Sequence, residues 1–166
     1  MLEIINFIIN HLKNNLSKEM IVFIISLFPV LELRGGMIAA SILNVPYKNA
    51  VIYSVLGNIL PIPFILIFLN KIFSLMEKNT HTRKLVLYFK NKALKHKEQI
   101  DKYGYLGLIL FVGIPLPGTG AWTGALIASI FNLDIKKSFI CIMIGIILAL
   151  IIMSIISYGV IGNIIR

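Results

Sequence analysis

The chain has 166 residues, 58% of them hydrophobic and 14% charged, and its mean hydropathy is +0.90. A soluble domain runs at roughly 45–50% apolar residues, so this composition excludes an ordinary water-soluble globule. The formal net charge of +9 does not point to nucleic acid: Lys71, Lys78, Arg83, Lys84, Lys90, Lys92, Lys95, Lys97 and Lys102 crowd into one polar stretch, and no nucleic-acid motif accompanies them. That distribution matches a cytoplasmic loop under the positive-inside rule, within reach of anionic lipid headgroups.

From the N-terminus, Leu2, Ile4, Ile5, Ile8, Ile9, Leu12 and Leu16 recur at helical spacing opposite Glu3, Asn6, Asn10, Lys13 and Asn14. The pattern predicts an amphipathic helix over 2–16 that lies in the membrane interface or packs on protein. Glu3 and the lack of a basic leader predict no cleaved signal peptide. The run 20–43 predicts a broken helical hairpin, and 50–69 a transmembrane helix kinked by Pro61 and Pro63. A basic linker over 71–82 follows, then a second amphipathic helix over 83–103 with Leu85, Val86, Phe89 and Ala93 as its stripe. A second broken hairpin over 104–131 and a second transmembrane helix over 138–161 complete the chain. Each of the four apolar runs approaches or exceeds the roughly 20 residues that cross a hydrocarbon core. The expected fold class is an all-α integral membrane protein. Cys141, the single cysteine, sits in an apolar run as a small core residue and has no partner for an internal disulfide.

Slid against itself, the chain matches at an offset of 88 residues. Pro29 meets Pro117, Gly36 meets Gly124, Ala40-Ser41-Ile42 meet Ala128-Ser129-Ile130, Asn44 meets Asn132, Lys48 meets Lys136 and Gly57 meets Gly145, within 14 identities over the 47 positions 21–67. Shared Pro, Gly, Asn and Lys at one register predict a two-fold internal repeat, 1–70 and 83–166.

In each half the hairpin run is interrupted. Pro29 and Gly35-Gly36 flank Glu32 and Arg34 in the first half; Pro115, Pro117, Gly118 and Gly120 lead into Trp122 in the second. Proline removes a backbone donor and glycine admits positive φ, so both runs should open. Open backbone deep in a bilayer needs protein or a water-filled cavity around it, and paired breaks in two halves point to a transporter site. Glu32 and Arg34 are the one carboxylate and one guanidinium inside these runs. They read either as a clamp between the breaks or as a site, with Arg34 holding an anionic group and Glu32 taking up a coupling proton or cation. Gly35, Gly36, Thr119, Trp122 and Thr123 join them as candidates for binding. The hydroxyls of Thr119 and Thr123 and amides near Gly118 and Gly120 would face the site, and Trp122 would wall it.

Two topologies stay open. Re-entrant hairpins give each half one crossing and an inverted repeat, with the linker, Lys136 and Lys137 in the cytoplasm. Fully crossing segments give four spans with both termini cytoplasmic. The charged break near the segment centre favours the first. So few crossings shield two open loops poorly, and a homodimer is expected.

Glu32-Leu33-Arg34-Gly35-Gly36, followed by Gly57-Asn58 and by Gly113-Ile114-Pro115-Leu116-Pro117-Gly118-Thr119-Gly120-Ala121-Trp122-Thr123-Gly124-Ala125, resembles the small multidrug export protein family of prokaryotes over about 20–158. The resemblance implies a multi-pass protein of the prokaryotic inner membrane. The layout is also similar to DedA-like membrane proteins, which would imply a phosphate at Arg34 and proton coupling at Glu32.

The leading functional expectation is a small secondary transporter that moves a small polar or ionic solute, coupled to H⁺ or Na⁺. The alternatives are a translocase of a phosphorylated lipid carrier, with a lipid headgroup as substrate, and a non-transporting membrane assembly subunit. His11, His81 and His96 are scattered and form no metal cluster with the lone cysteine, and Gly118-Thr119-Gly120 lacks the lysine of a nucleotide loop. No enzyme, metal or cofactor is expected.

Overall fold

The computed structural model describes residues 1–94, 97–116 and 118–161. Pro117, Lys95 and His96 lie outside the described residues, as do the side chains of His81, Phe89, Lys90, Lys92, Ala93, Lys97 and Lys102. The described residues form an all-helical fold: α1 (Leu2–Leu12), α2 (Lys18–Leu27), α3 (Glu32–Ile42), α4 (Tyr47–Ile59), α5 (Pro61–Met76), α6 (Thr80–Leu94), α7 (Lys97–Gly113), α8 (Ala121–Ile130) and α9 (Ile135–Ser154), with a π-helical segment over Ile155–Ile161.

α1 buries Ile5 and Ile9 and leaves Leu2, Ile4 and Phe7 exposed, so part of its apolar face packs on protein. It ends at Leu12, short of the expected residue 16. Ser17 caps α2, its Oγ accepting from the Met20 amide at 3.2 Å. After Leu27 the chain turns, and α3 folds back along α2. The fit is set by Gly36: a Cβ there would collide with Ser26 Oγ and come within 2.8 Å of Ser54 Oγ. α7 and α8 form the second folded-back pair, and a Cβ on Gly124 would meet Val112 Cγ2 at 2.6 Å.

α3 and α8 end alike. Asn44 (φ 53°) and Asn132 (φ 52°) adopt the left-handed conformation, and Val45 N donates to Ala40 O as Leu133 N donates to Ala128 O, each at 2.9 Å. This six-to-one bond satisfies helix-end carbonyls, and asparagine tolerates the conformation it requires.

The first long helix is α4 with α5, joined at Leu60. Pro61 stands at the first position of α5, where its missing N–H costs least. Tyr47–Met76 (30 residues) and Ile135–Gly159 (25 residues) are long and apolar enough to cross a membrane. They run antiparallel: Tyr47 OH donates to Ser154 Oγ at 3.1 Å, while near the other end Asn70 Nδ2 donates to Ser129 O at 2.8 Å and to Asn132 Oδ1 at 3.0 Å. Their outer faces carry exposed Phe64, Ile67, Leu75, Ile140, Ile147 and Ile151. The helix pairs between them supply a core of Ile21, Ile25, Leu33, Met37, Leu108 and Ala125, against which α9 sets Ile142.

The structure corrects several boundaries. The helix expected over 50–69 runs from Tyr47 to Met76, and α6 starts at Thr80, so of the linker expected over 71–82 only residues 77–79 are not helical, and Lys71 lies on α5. The amphipathic helix expected over 83–103 falls on α6 and α7, with residues 95 and 96 outside the described residues, and α7 is bent just beyond it at Gly104 (φ 55°, ψ −132°). Within that stripe Val86 is buried and Leu85 is exposed. Gly35 and Gly36 do not open the helix. They lie inside α3, where the absent side chains admit α2 and Leu31, rather than supplying positive φ.

Candidate functional site

The first break covers residues 28–31. Its backbone is tied by Leu31 N donating to Phe28 O at 3.2 Å and Glu32 N to the same oxygen at 2.9 Å. Glu32 itself has φ +50°, a conformation that costs energy for a residue with a side chain. The second break runs over 114–120, with φ +82° at Gly118 and +141° at Gly120, where glycine carries no such cost.

The breaks face one another. Glu32, 5% exposed, crosses to the second hairpin: Oε2 accepts from the Ala121 amide at 3.0 Å and Oε1 from the Trp122 amide at 3.2 Å. These are the first two amides of α8, which have no acceptor within their own helix and sit at its positive end. Gly120 permits the approach, since a Cβ there would come within 2.6 Å of Glu32 Cδ. The helix-terminal amides that the sequence suggested for a ligand therefore hold Glu32 instead.

Arg34 reaches the same break two residues on. Nη1 donates to the Leu116 carbonyl, and Nη2 donates to Thr119 Oγ1 at 2.9 Å and Ile114 O at 3.4 Å. A planar guanidinium suits such a fork, gathering carbonyls that proline and glycine leave without helical donors. Trp122 returns the bond: Nε1 donates to Leu27 O, the last residue of α2, at 3.2 Å.

Between the breaks lies a cavity of about 470 Å³, lined by Glu32, Arg34, Thr119 and Thr123 together with Pro29, Val30, Leu31, Pro115 and Gly118. Met1 and Ile4, Ile38, and Met153 and Ile156 complete the wall. Of the residues expected at a site, these polar four and the breakers Pro29, Pro115 and Gly118 come together here. Gly35, Gly36 and Trp122 are not among the lining residues, and Gly120 meets the wall only through Glu32. Sequence reasoning missed the α1 contribution and that of the final π-helical segment. α1 carries a visible amphipathic pattern but no sign of which element it covers. The carbonyls of Leu27, Ile114 and Leu116 leave no mark in residue identity.

Two long apolar helices, opposed helix breaks, a buried carboxylate and a half-buried guanidinium define a membrane protein with a polar interior. The family model described as "Putative small multi-drug export protein" matches residues 32–152, and the chain belongs to that family. The match begins at Glu32, just after the first break, and includes the second break and both long apolar helices up to residue 152. Among curated proteins and solved structures nothing matches.

Proposed function

We propose that the protein is a small secondary transporter of the cell membrane, built as an inverted repeat. A small polar or ionic solute passes through the cavity between the two breaks, coupled to H⁺ or Na⁺. The observation that carries this reading is the meeting of Glu32, Arg34, Thr119 and Thr123, from two separate hairpins, on one cavity. Arg34 and Thr119 offer donors to the acceptor groups of a solute, and Glu32 offers a carboxylate to a proton or cation.

The repeat is supported by matching roles 88 residues apart. Asn44 and Asn132 end equivalent helices. Ser41 Oγ donates to Ser157 O at 2.7 Å and Ser129 Oγ to Ile65 O at 3.3 Å, each crossing to the other half's long helix. Asn70 and Tyr158 bond the ends of opposite hairpins, Tyr158 OH reaching Val45 O at 2.8 Å. Arg34 and Trp122 each bond a carbonyl in or next to the opposite break. Ahead of the break the register is 86: Gly57 abuts Phe23 O and Ser26, as Gly145 abuts Ile109 O and Val112, so the second half carries two extra residues around its break. Glu32 and Gly120, equivalent positions in contact, then lie on the pseudo-two-fold axis.

The hairpin arms Lys18–Leu27, Glu32–Ile42, Ala121–Ile130 and the apolar part of α7, Tyr103–Gly113, have 10–11 residues each and are about 15–17 Å long, half of a bilayer core of about 30 Å, which suits re-entrant loops. The basic α6 region belongs in the cytoplasm, and a homodimer covers the exposed hairpin edges. The mostly apolar wall of the cavity, including Leu31, Ile38 and Met153, also favours a second reading, a translocase that takes a phosphorylated lipid headgroup while the tails stay in the bilayer. The bonds of Glu32 and Arg34 to backbone fit the clamp role, which is compatible with either.

Purified protein in liposomes, screened for solute flux with and without H⁺ and Na⁺ gradients and for scrambling of a fluorescent lipid, tests both readings. Flux that is unaltered by Thr123→Val, Glu32→Gln and Arg34→Ala removes the cavity as the route.

A further inference from the structure

In the first half, α2, α3 and α4 enclose side-chain oxygens that the bonds described so far do not use. Ser26, Ser54 and Asn58 are 0%, 0% and 2% exposed. Ser26 Oγ donates to Val22 O at 2.8 Å, which leaves its lone pairs available. Ser54 Oγ and Asn58 Oδ1 are buried without a hydrogen-bond partner, and they sit one turn apart on the same face of α4. The hydroxyls of Ser26 and Ser54 converge on the place where a Gly36 side chain would be. Gly57 brings Phe23 O to the same region, 2.4 Å being all that a Cβ there would have.

The surrounding backbone has the same sign. α2 ends at Leu27, so Ser26 stands in a last turn, at a negative helix end. Pro61 has no N–H to give to Gly57 O, which frees a carbonyl next to Asn58. Oxygens and helix C-termini are the surroundings in which broken-helix transporters hold small cations. The fold does not itself require this polarity. By the register above, the second half places Val112, Ile142 and Ile146 at the positions of Ser26, Ser54 and Asn58, and all three are buried.

We infer that the Ser26–Ser54–Asn58 cluster is a binding site for a small monovalent cation, Na⁺, separate from the cavity between the breaks. As an ion site it stands without transport; as the site of the coupling ion it rests on the function proposed above.

The test is the thermal stability of the purified protein in detergent, measured in NaCl, KCl and choline chloride at equal ionic strength, with ²²Na⁺ binding as a second readout. Wild type should gain several degrees in Na⁺ alone, because a ligand that binds only the folded state stabilises it. Ser54→Ala, which removes one oxygen and adds no bulk, and Asn58→Ile, which installs the residue of the second half, should both abolish the Na⁺ gain. Ser138→Ala, at another buried hydroxyl without a partner, should keep it. An equal response of wild type to all three salts means that the oxygens hold an ordered water only and overturns the inference, as does a Na⁺ gain that survives Ser54→Ala and Asn58→Ile. Na⁺ binding in a protein that moves no solute keeps the ion site and removes the transport reading. Flux without Na⁺ binding does the reverse.

Discussion

Gly120 and Glu32 are 88 residues apart in sequence, and each fits only because of the other. The glycine at φ +141° leaves the space in which the carboxylate of Glu32 caps α8. Gly120→Ala would set its new Cβ against that carboxylate and strain the backbone. The expected loss is about 2–4 kcal/mol, from φ strain of roughly 1–2 kcal/mol and from weakened bonds to a charged acceptor. Gly118→Ala has open space around it at φ +82° and should cost only the strain. Thermal unfolding of the two variants in detergent checks the order, and equal losses would contradict the contact.

Arg34→Lys keeps the charge and removes the fork. A lysine ammonium is a single point on a flexible stem and cannot serve Leu116 O and Thr119 Oγ1 together as the guanidinium does. A loss of about 1–2 kcal/mol is expected, on the scale of one or two hydrogen bonds. Glu32→Gln should cost a similar amount, because its amide offers one acceptor where two amides now find an oxygen each. The combined variant should lose less than the sum, since both residues hold the same break. Strict additivity in unfolding data would argue against a shared clamp.

Gly36→Ala should be the most damaging of the first hairpin's glycine substitutions, at about 1–3 kcal/mol of overpacking. The obstacle is specific: Ser26 Oγ and Cβ and Ser54 Oγ all crowd the new methyl. Pairing it with Ser26→Gly should recover part of the loss, and no recovery would point to a different obstruction.

These residues also mark where the sequence was legible. Proline announces a break because it cannot donate, and Pro29 and Pro115 do flank the openings. Glycine is ambiguous, since φ freedom and close packing leave the same letter. Gly118 and Gly120 use the first, whereas Gly35 and Gly36 use the second from inside α3. The hydrophobic period over 83–103 carries no sign of the bend at Gly104 that follows it. Glu32 and Arg34 stood out because charge in an apolar run demands partners, but the partners are backbone groups, which composition cannot name. Trp122 was read as a wall because a membrane tryptophan away from the interface needs a reason; its reason is the Leu27 carbonyl.

Trp122 and Thr123 are neighbours with separable roles. Trp122→Phe keeps the ring and loses the bond to Leu27 O, so a loss of about 1 kcal/mol is expected, with flux through the cavity unchanged. Thr123→Val is nearly isosteric and removes a hydroxyl from the cavity wall. It should leave stability within about 0.5 kcal/mol and reduce flux. Liposome flux and detergent unfolding, measured on both variants, separate the two, and an effect of Thr123→Val on stability alone would remove it from the route.

The inverted repeat proposed above makes a prediction about sidedness. Asn44 and Asn132 follow α3 and α8 with the same backbone conformation, yet the long helices that come after them run antiparallel. If the hairpins re-enter, these two positions lie on opposite faces of the membrane. If each interrupted segment crosses fully, both lie on the outer face. In a background with Cys141 changed to alanine, Asn44→Cys and Asn132→Cys can be labelled in whole cells with a membrane-impermeant maleimide. Labelling of Asn44→Cys alone, with Asn132→Cys reacting only after the cells are opened, is the expected outcome. Labelling of both from outside would require four crossings, and with them a polar break threaded through the full bilayer rather than folded back within it.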